Sequence, residues 1–328
     1  MTMNNYPKPE LLSITTRGDS PETLHYGWIC VLNKDKKIIF QKGSISDKVF
    51  LRSAAKPIQA IPLTECIKGL TPKEIAIICG SHTGSKEHIN VLNGFIKKYK
   101  LLVTNLQCGI HQPLDETERN RLIKQDKKPI VLHNNCSGKH LGMLLCCKKN
   151  NWDLKTYLNL NHKLQKSIIN HIKNLSEVKN LSVATDGCSA PTFSLPIINI
   201  AKLFSNFTNP EYSQYKKYKK IIMAMNTYPY YVGGKGQIDS EIMRSSKLNL
   251  ISKVGAEGII VAAYNGNSAI IKIADGSPKI RSTVFINLLL KLKWISKSSL
   301  KGNISDDILN GLIKNHSGKI VGRINTLI

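Results

Sequence analysis

The sequence has no long apolar run. Among its 328 residues, no stretch reaches the roughly 18 uncharged apolar residues that a transmembrane helix needs. The first residues, MTMNNYPKPELLS, also lack the apolar segment of a secretory signal peptide. The sequence therefore predicts neither a membrane span nor a signal peptide, and we expect a cytoplasmic protein.

Acidic residues are scarce. The chain has 22 Asp and Glu against 47 Lys and Arg, which gives a net charge of +25. Such an excess would suit nucleic-acid phosphates if the lysines were clustered. Only the Tyr- and Lys-rich segment at 214–220 is dense in lysine, and the other lysines are spread over nearly every segment. The pattern favours a solvated basic surface over a nucleic-acid-binding face.

Internal repeats, low-complexity linkers and a clear domain boundary are also absent. A single hydrophobic core stops growing near about 250–300 residues, so a chain of this length suits one large α/β domain or two smaller ones. Because no boundary is visible, we predict a single domain over residues 1–328. The eight cysteines show no regular framework spacing, and we expect reduced thiols in a cytoplasmic chain.

Apolar periodicity predicts an alternation of strands and helices. Residues 26–44 have the pattern of a β-hairpin. The other predicted elements are a helix at 53–68, a strand at 75–79, a helix at 88–101, a strand and a helix across 129–149, a helix at 163–175, a strand followed by a helix start across 181–197, and three short β segments with one helix between 249 and 328. Several predicted strands run into turns rich in Gly, Ser, Cys or Asn, where α/β enzymes place their chemistry.

The segment RSAAKP at 52–57 places Ser53 and Lys56 three residues apart at a predicted helix start. At this spacing the two side chains lie on one helix face, and Pro57 is tolerated only in the first turn. A desolvated lysine can act as the base for a serine nucleophile, and Arg52 could assist it or bind a substrate carboxylate. The same spacing also fits an N-cap serine followed by a surface lysine.

A second polar turn, CGSHTGSKEH, follows the predicted strand at 75–79. It brings Ser81, His82 and Thr83 together. A hydroxyl, an imidazole and free backbone N–H groups are the parts of an acyl-transfer site. An ordinary turn with a helix cap would use the same residue types.

Two cysteines lie at predicted turns beside Gly and Ser. They are Cys136 in HNNCSGKHLGM and Cys188 in ATDGCSAP. Together with Lys139 or His140 they could hold a zinc ion, although structural zinc sites usually show closer Cys-x-x-Cys spacing. Buried thiols, or one thiol acting as a nucleophile, would explain the same pattern.

Lys253 precedes a run of small residues in KVGAEG. Small residues in a strand let a ligand or another backbone approach closely. A sheet-edge lysine beside a β-bulge would give the same sequence pattern.

Taken together, these segments resemble the rhizobial-type asparaginases of the asparaginase II family. The resemblance rests on seven segments in the family's order: RGDSPETLHYG, RSAAKPIQAIPL, CGSHTG, HNNCSGKHLGM, TDGCSAPTFSLP, PYYVGGKGQIDSEIM and KVGAEGI. It implies an amidohydrolase that converts L-asparagine to L-aspartate and ammonia. It also implies a mixed α+β sandwich similar to serine β-lactamases and penicillin-recognising enzymes, and a homodimer.

The resemblance further implies roles for individual residues. The two catalytic Ser–Lys pairs would be Ser53 with Lys56 and Ser81 with Lys253, with Lys272 as the fallback for the second lysine. The zinc ligands would be Cys136, Lys139 and Cys188, and the substrate-binding residues would be Arg52, Asp186 and His82. Zinc would tune substrate affinity without supplying the nucleophile. The chain departs from the family at Thr83 and Ser85, where the family has a serine and a glutamate.

The mechanism that this resemblance predicts is acyl transfer through Ser53. Lys56 would deprotonate Ser53, which attacks the side-chain amide, while Ser81 and Lys253 pass a proton to the departing ammonia. Two alternatives belong to other classes. One is a hydrolase in which a zinc-bound water attacks a related amide, and the other is an inactive homologue that binds amino acids or nucleic acid.

Overall fold

A large antiparallel sheet forms the centre of the molecule. The computed structural model describes residues 6–328. The strands are β1 (Glu10–Arg17), β2 (Ser20–Leu32), β3 (Ile38–Lys42), β4 (Lys48–Phe50), β5 (Ser182–Thr185), β6 (Pro191–Pro196), β7 (Ile251–Val254), β8 (Ile259–Tyr264), β9 (Asn267–Ile273), β10 (Leu312–Lys314) and β11 (Ile320–Thr326). The eight-stranded sheet has the order β10-β11-β1-β2-β9-β8-β7, with β3 also paired to β2, and a three-stranded sheet has the order β4-β6-β5.

Helices cover both faces of the large sheet. The helices are α1 (Lys56–Cys66), α2 (Pro72–Ile78), α3 (Lys86–Tyr99), α4 (Glu116–Lys124), α5 (Ser137–Lys149), α6 (Lys163–Ser176), α7 (Ile197–Thr208), α8 (Tyr215–Thr227), α9 (Ile238–Ser245), α10 (Pro278–Lys291), α11 (Lys297–Leu300) and α12 (Asp306–Leu309). Short 3-10 helices lie at Arg52–Ala55, Val103–Asn105, Val131–His133 and Pro229–Tyr231. Over residues 6–328, no helix combines the length and the apolar character that crossing a membrane requires.

The side chains of β2 show why the fold is a sandwich. Successive side chains of a strand point to opposite faces, and Cys30 packs in one apolar cluster while Ile29 and Val31 pack in another. The first cluster joins the sheet to α1, α2 and α5–α8, and the second joins it to α10. The predicted mixed α+β sandwich is therefore confirmed.

Most predicted elements are present, including the hairpin at 26–44, which is β2 and β3, and the helices that became α3, α5 and α6. The strand predicted at 75–79 is wrong, because these residues form most of α2 and its C-cap. Thr71 caps that helix and exchanges hydrogen bonds with Glu74, and Pro72 occupies its first turn. These capping interactions favour a helix, whereas the periodicity of so short an apolar run does not distinguish a helix from a strand.

Three other boundaries differ from the predictions. The strand predicted after residue 129 is only a 3-10 turn at Val131–His133, and the helix start predicted near 191 is strand β6, so that α7 begins at Ile197. The first helix begins with a 3-10 turn, and α1 itself starts at Lys56.

The expectation of reduced thiols is wrong for one pair of cysteines. Cys66 and Cys146 form a disulfide whose Cα atoms are 6.0 Å apart, which joins the end of α1 to α5. Packing of α1 against α5 brings together two residues that are 80 positions apart in sequence. The other cysteines are free and buried.

Candidate active site

Ser53 lies on a strained turn that the large sheet supports. The turn begins at Arg52, whose φ of 47° is in the left-handed region that a non-glycine residue rarely adopts. Gly255, just after β7, packs against it: a Cβ there would lie 2.7 Å from Leu51 O and 3.3 Å from Ala54 N. A residue without a side chain is therefore needed for β7 to approach the turn that carries Ser53.

Lys56 points its amine at the second polar turn. Its Nζ lies 2.6 Å from Gly80 O, 2.9 Å from Ser81 Oγ and 3.1 Å from Asn135 O. The predicted pairing of Lys56 with Ser53 is therefore not the hydrogen bond that forms. The 3-10 turn directs the Lys56 side chain toward the loop after α2, and no residue in 6–328 is hydrogen-bonded to Ser53 Oγ.

The environment of Lys56 lowers the pKa of its amine. Burial lowers the pKa of Lys56, the nearby Cys136 sulfur raises it in part, and the charges of Lys139 and Lys253 lower it again, so the pKa lies below its usual value. Gly80 O, Ser81 Oγ and Asn135 O each accept a hydrogen bond from Lys56 Nζ, so the amine is held between the Ser81 turn and the start of α5.

Lys253 is fully buried but is not paired with Ser81. Its Nζ donates to Asp239 Oδ2 at 2.9 Å and to Val254 O at 3.0 Å. Lys253 thus forms an ion pair with Asp239, and the catalytic pairing of Ser81 with Lys253 stays a prediction. The Nζ of the fallback, Lys272, donates to the backbone oxygens of Glu257 and Ile273.

Asp239 is the residue that the sequence analysis missed. It lies in the first turn of α9 and is 2 % exposed. Burial raises the pKa of the Asp239 carboxyl, but the charge and hydrogen bond of Lys253 and a hydrogen bond from Val254 N bring it below its usual range. The signal was available, since Asp239 belongs to GQIDSEIM within one of the seven resembling segments.

Arg52 and Asp186, both predicted to bind substrate, are in contact. The Nε and Nη2 atoms of Arg52 each lie 2.8 Å from Asp186 Oδ1. Arg52 Nη1 lies 3.9 Å from Glu257 Oε1, and the side chain of Glu257 is 70 % exposed. The pair adjoins Ser53 and keeps one edge of the guanidinium available to an anionic group.

His82 lies apart from that pair. It is fully buried, its Nε2 is 3.0 Å from Ser137 Oγ, and its ring stacks on His88 with the centroids 5.2 Å apart. Burial and the neighbouring His88 hold the pKa of His82 well below its usual value, so the imidazole is neutral. Its predicted role in substrate binding stays a prediction.

The three predicted zinc ligands meet at the start of α5. Lys139 Nζ lies 3.2 Å from Cys188 Sγ, and all three side chains are buried. A hydrogen bond with Cys188 and the charges of Lys56 and Lys139 lower the pKa of Cys136, while the same bond and burial raise the pKa of Cys188. The hydrogen bond between the two sulfurs therefore shifts their pKa values in opposite directions.

Two of the three side chains are of a kind that zinc prefers, whereas, despite burial, the neighbouring sulfurs raise the pKa of the Lys139 amine and so oppose its neutral form. Thiolates are ligands that zinc prefers, and an amine can join them once it is neutral. No group of three or more His, Cys, Asp and Glu residues that could hold a metal occurs in the described part of the chain. The fit therefore depends on Lys139 as the third ligand beside Cys136 and Cys188.

A separate cavity of about 790 Å³ lies beside the loop before α9. Its lining includes Tyr230, Lys235, Ser240, Glu241 and Arg244. None of the predicted catalytic serines and lysines lines it, so it is not the site described above.

Two of the solved structures that this chain matches are distant from it in sequence. A β-lactamase from Mycobacterium bovis has 8% sequence identity and a TM-score of 0.45, over 81% of this chain and 94% of that one. A mutant of simvastatin synthase from Aspergillus terreus has 10% identity and a TM-score of 0.29, over 77% of this chain and 86% of that one. At these scores neither match carries an argument about function. Comparison with curated protein sequences gives no match.

The family comparison is much stronger, because it covers nearly the whole chain. The sequence model of L-asparaginase II matches residues 14–326. The matched range includes the Ser53 turn, the Ser81 turn, the thiol cluster and the Asp239–Lys253 pair. The protein is accordingly an amide hydrolase, and the chain belongs to the L-asparaginase II family.

Proposed function

We propose that the protein hydrolyses L-asparagine to L-aspartate and ammonia through a serine acyl-enzyme. The observation that carries the proposal is the buried Lys56 amine, which lies one turn from Ser53 and 2.9 Å from Ser81 Oγ. A buried amine of lowered pKa beside two hydroxyls is equipped to move protons between them. Membership of the family supports asparagine as the substrate.

In the proposed first step, Ser53 Oγ attacks the side-chain amide carbon and loses its proton to Lys56. Lys56 passes a proton to Ser81, and Ser81 donates it to the amide nitrogen. The C–N bond then breaks and ammonia leaves a β-aspartyl ester on Ser53. Water hydrolyses this ester by the reverse proton path and releases L-aspartate. This assignment revises the predicted mechanism, because Lys56 and not Lys253 contacts Ser81.

The remaining predicted residues have supporting roles in this proposal. The free edge of Arg52 would bind the substrate α-carboxylate while Asp186 keeps the guanidinium in place. Backbone N–H groups at the start of the Ser53 turn would stabilise the oxyanion. When bound to Cys136, Lys139 and Cys188, a zinc ion would supply a fixed positive charge that tunes substrate affinity. A homodimer and a cytoplasmic location stay predictions.

The test measures ammonia release from L-asparagine and L-glutamine, with zinc and with a chelator. We expect release from asparagine, weakened but not abolished by the chelator, and a loss on the order of 1,000-fold in kcat for Ser53→Ala and Lys56→Met. Acid quenching followed by peptide mapping should find the ester on Ser53. An ester on Ser81, or full loss of turnover on chelation, would contradict the mechanism, and near-normal turnover by Ser53→Ala would contradict the nucleophile.

A further inference from the structure

The buried ion pair between Asp239 and Lys253 is not used as such in the mechanism above. Both side chains are almost fully excluded from solvent, with Lys253 0 % and Asp239 2 % exposed. Burying two charges is unfavourable unless each is paired and hydrogen-bonded, and this pair satisfies the requirement at 2.9 Å. A buried pair of this kind contributes little net stability compared with apolar residues of the same size, so its presence calls for another reason.

The position of Lys253 in β7 connects it to the Ser53 turn. Residues two apart in a strand project to the same face of the sheet. The side chain of Lys253 therefore points to the same face as a side chain at position 255 would. A side chain on Gly255 would contact the backbone of Leu51 and Ala54. Lys253 therefore lies on the face of β7 that the Ser53 turn covers.

The position of Asp239 connects it to the Ser81 turn. Ser81 N donates to Val232 O at 2.7 Å, and Thr83 N donates to Gly233 O at 3.0 Å. A Cβ on Gly233 would lie 2.7 Å from Asp239 Oδ1, so this loop is packed directly on the carboxylate. The ion pair thus joins the segment that holds Ser81 to the strand that supports Ser53.

Hydrogen bonds fix the direction of the Lys253 side chain. Asp239 Oδ2 accepts from Lys253 Nζ and, at 3.1 Å, from Val254 N, while Oδ1 accepts from Ser240 N. The carboxylate therefore accepts from three donors and is held in one orientation. Lys253 Nζ is directed at Asp239 and at Val254 O, and it makes no hydrogen bond to Ser81.

We propose that Asp239 is a positioning residue, which holds Lys253 as a fixed ammonium between the Ser53 and Ser81 turns and acts on the reaction only through Lys253. This inference rests on the proposed amidase activity. The ammonium would supply a preorganised positive charge beside the hydroxyls, where negative charge develops during attack on the amide.

The test is a double-mutant cycle in kcat with Asp239→Asn, Lys253→Met and the double variant. We expect each single variant to lose on the order of 100-fold in kcat with a small change in KM, and the double variant to match Lys253→Met. Asp239→Glu should recover part of the loss, because it restores the charge. Each single variant leaves one buried charge without its partner and can fold poorly for that reason. The double variant removes both charges, so its kcat can still be compared with that of the wild type.

Glu241→Gln is the matched control. Glu241 is on the same helix, is 3 % exposed, and pairs with Arg244 instead of Lys253. We expect its kcat to stay within about threefold of the wild type, as for other changes away from the reacting groups. Two results would overturn this inference without affecting the proposed function, provided that the wild type releases ammonia. One is a loss in kcat for the double variant that equals the product of the two single losses, and the other is a normal kcat for Asp239→Asn. A wild type that releases no ammonia would overturn the proposed function and this inference with it.

Discussion

Arg52 combines a strained backbone with a fixed side chain. Its left-handed φ is retained because the turn is held at both ends, by Ala54 N donating to Leu51 O and by the ion pair with Asp186. Strain of this kind costs on the order of 1–3 kcal/mol and persists where the surroundings determine the geometry. The result is a guanidinium of fixed direction next to the proposed nucleophile.

The first prediction concerns Arg52→Lys. A lysine cannot keep the two contacts with Asp186 and still offer a planar edge to a carboxylate. We expect KM for asparagine to rise at least about tenfold with a smaller change in kcat, since a lost charged hydrogen bond is worth roughly 1.5–3 kcal/mol. Steady-state kinetics would measure both constants. A fall in kcat at unchanged KM would show that Arg52 acts on the chemical step instead.

At the scale of single residues, the sequence singled out candidate side chains but not the contacts that they make. Ser53, Lys56, Ser81 and Lys253 were all singled out, yet the hydrogen bonds join Lys56 to Ser81 and Lys253 to Asp239. The Lys56–Ser81 contact spans 25 positions, and the direction of each side chain depends on neighbouring elements that no local spacing describes.

Among the elements, β7 has the most direct influence on the site. Its last residues carry Lys253 toward the core and bring Gly255 against the Ser53 turn. Because this contact is closely packed, a methyl group added at Gly255 would displace the backbone of the Ser53 turn. The distance between the sheet and the catalytic turn is therefore set by one glycine.

The second prediction concerns Gly255→Ala. Its Cβ would lie 2.4 Å from Ile259 Cγ2 and 2.7 Å from Leu51 O, so the turn has to move away from β7. We expect a destabilisation of about 1–3 kcal/mol and at least a tenfold loss in kcat. Urea unfolding and ammonia release would measure the two effects.

Gly94→Ala serves as the control for that prediction. Gly94 is exposed in α3 with open space around its Cα, so alanine should raise the free energy of unfolding by up to about 1 kcal/mol and leave kcat unchanged. Equal kinetic effects of both substitutions would contradict the role given to Gly255.

Sequence patterns identified elements less well where apolar runs were short. The amphipathic period of α3 and α6 was sufficient, because polar and apolar residues alternate there with the helical repeat. The run at 75–79 is apolar and buried on all sides, so periodicity could not separate helix from strand there. The segment at 191–196 is also almost entirely buried and has only six residues, too few for its pattern to decide.

The whole molecule buries several histidines in neutral form. His82, His88 and His140 lie in the core, and His88 stacks between His82 and Tyr230. Burial lowers the pKa of His88 to about 4, and burial also holds the pKa values of His82 and His140 well below the usual range. Folding is therefore coupled to pH through these side chains.

The third prediction is a loss of stability on mild acidification. Unfolded histidine binds a proton below about pH 6.5, but folded His88 does so only near 4, so the unfolded state binds more protons in this window. The contribution of the neutral His88 to the free energy of unfolding is fully present above pH 6.5, and it decreases as the pH falls toward 4. His88 alone should contribute about 2 kcal/mol of loss between pH 7.5 and 5.

Urea unfolding at several pH values would measure this loss. His88→Gln should show a smaller decrease than the wild type over the same range, whatever its stability at pH 7.5. A urea midpoint that does not change between pH 7.5 and 5 would contradict the prediction.

The sequence by itself determined the composition of the site and the class of the fold. Seven segments in the family's order, RSAAKPIQAIPL and KVGAEGI among them, indicated the family, and this resemblance implied the mixed α+β sandwich. Apolar periodicity indicated only that strands and helices alternate. The tertiary structure alone decided that Lys56 is hydrogen-bonded to Ser81 and that Asp239 forms an ion pair with Lys253. The physical reason is that residue spacing fixes only which side chains share a turn or a strand face. Long-range packing of β7, α9 and the Ser53 turn fixes which charges and hydroxyls come within hydrogen-bond distance.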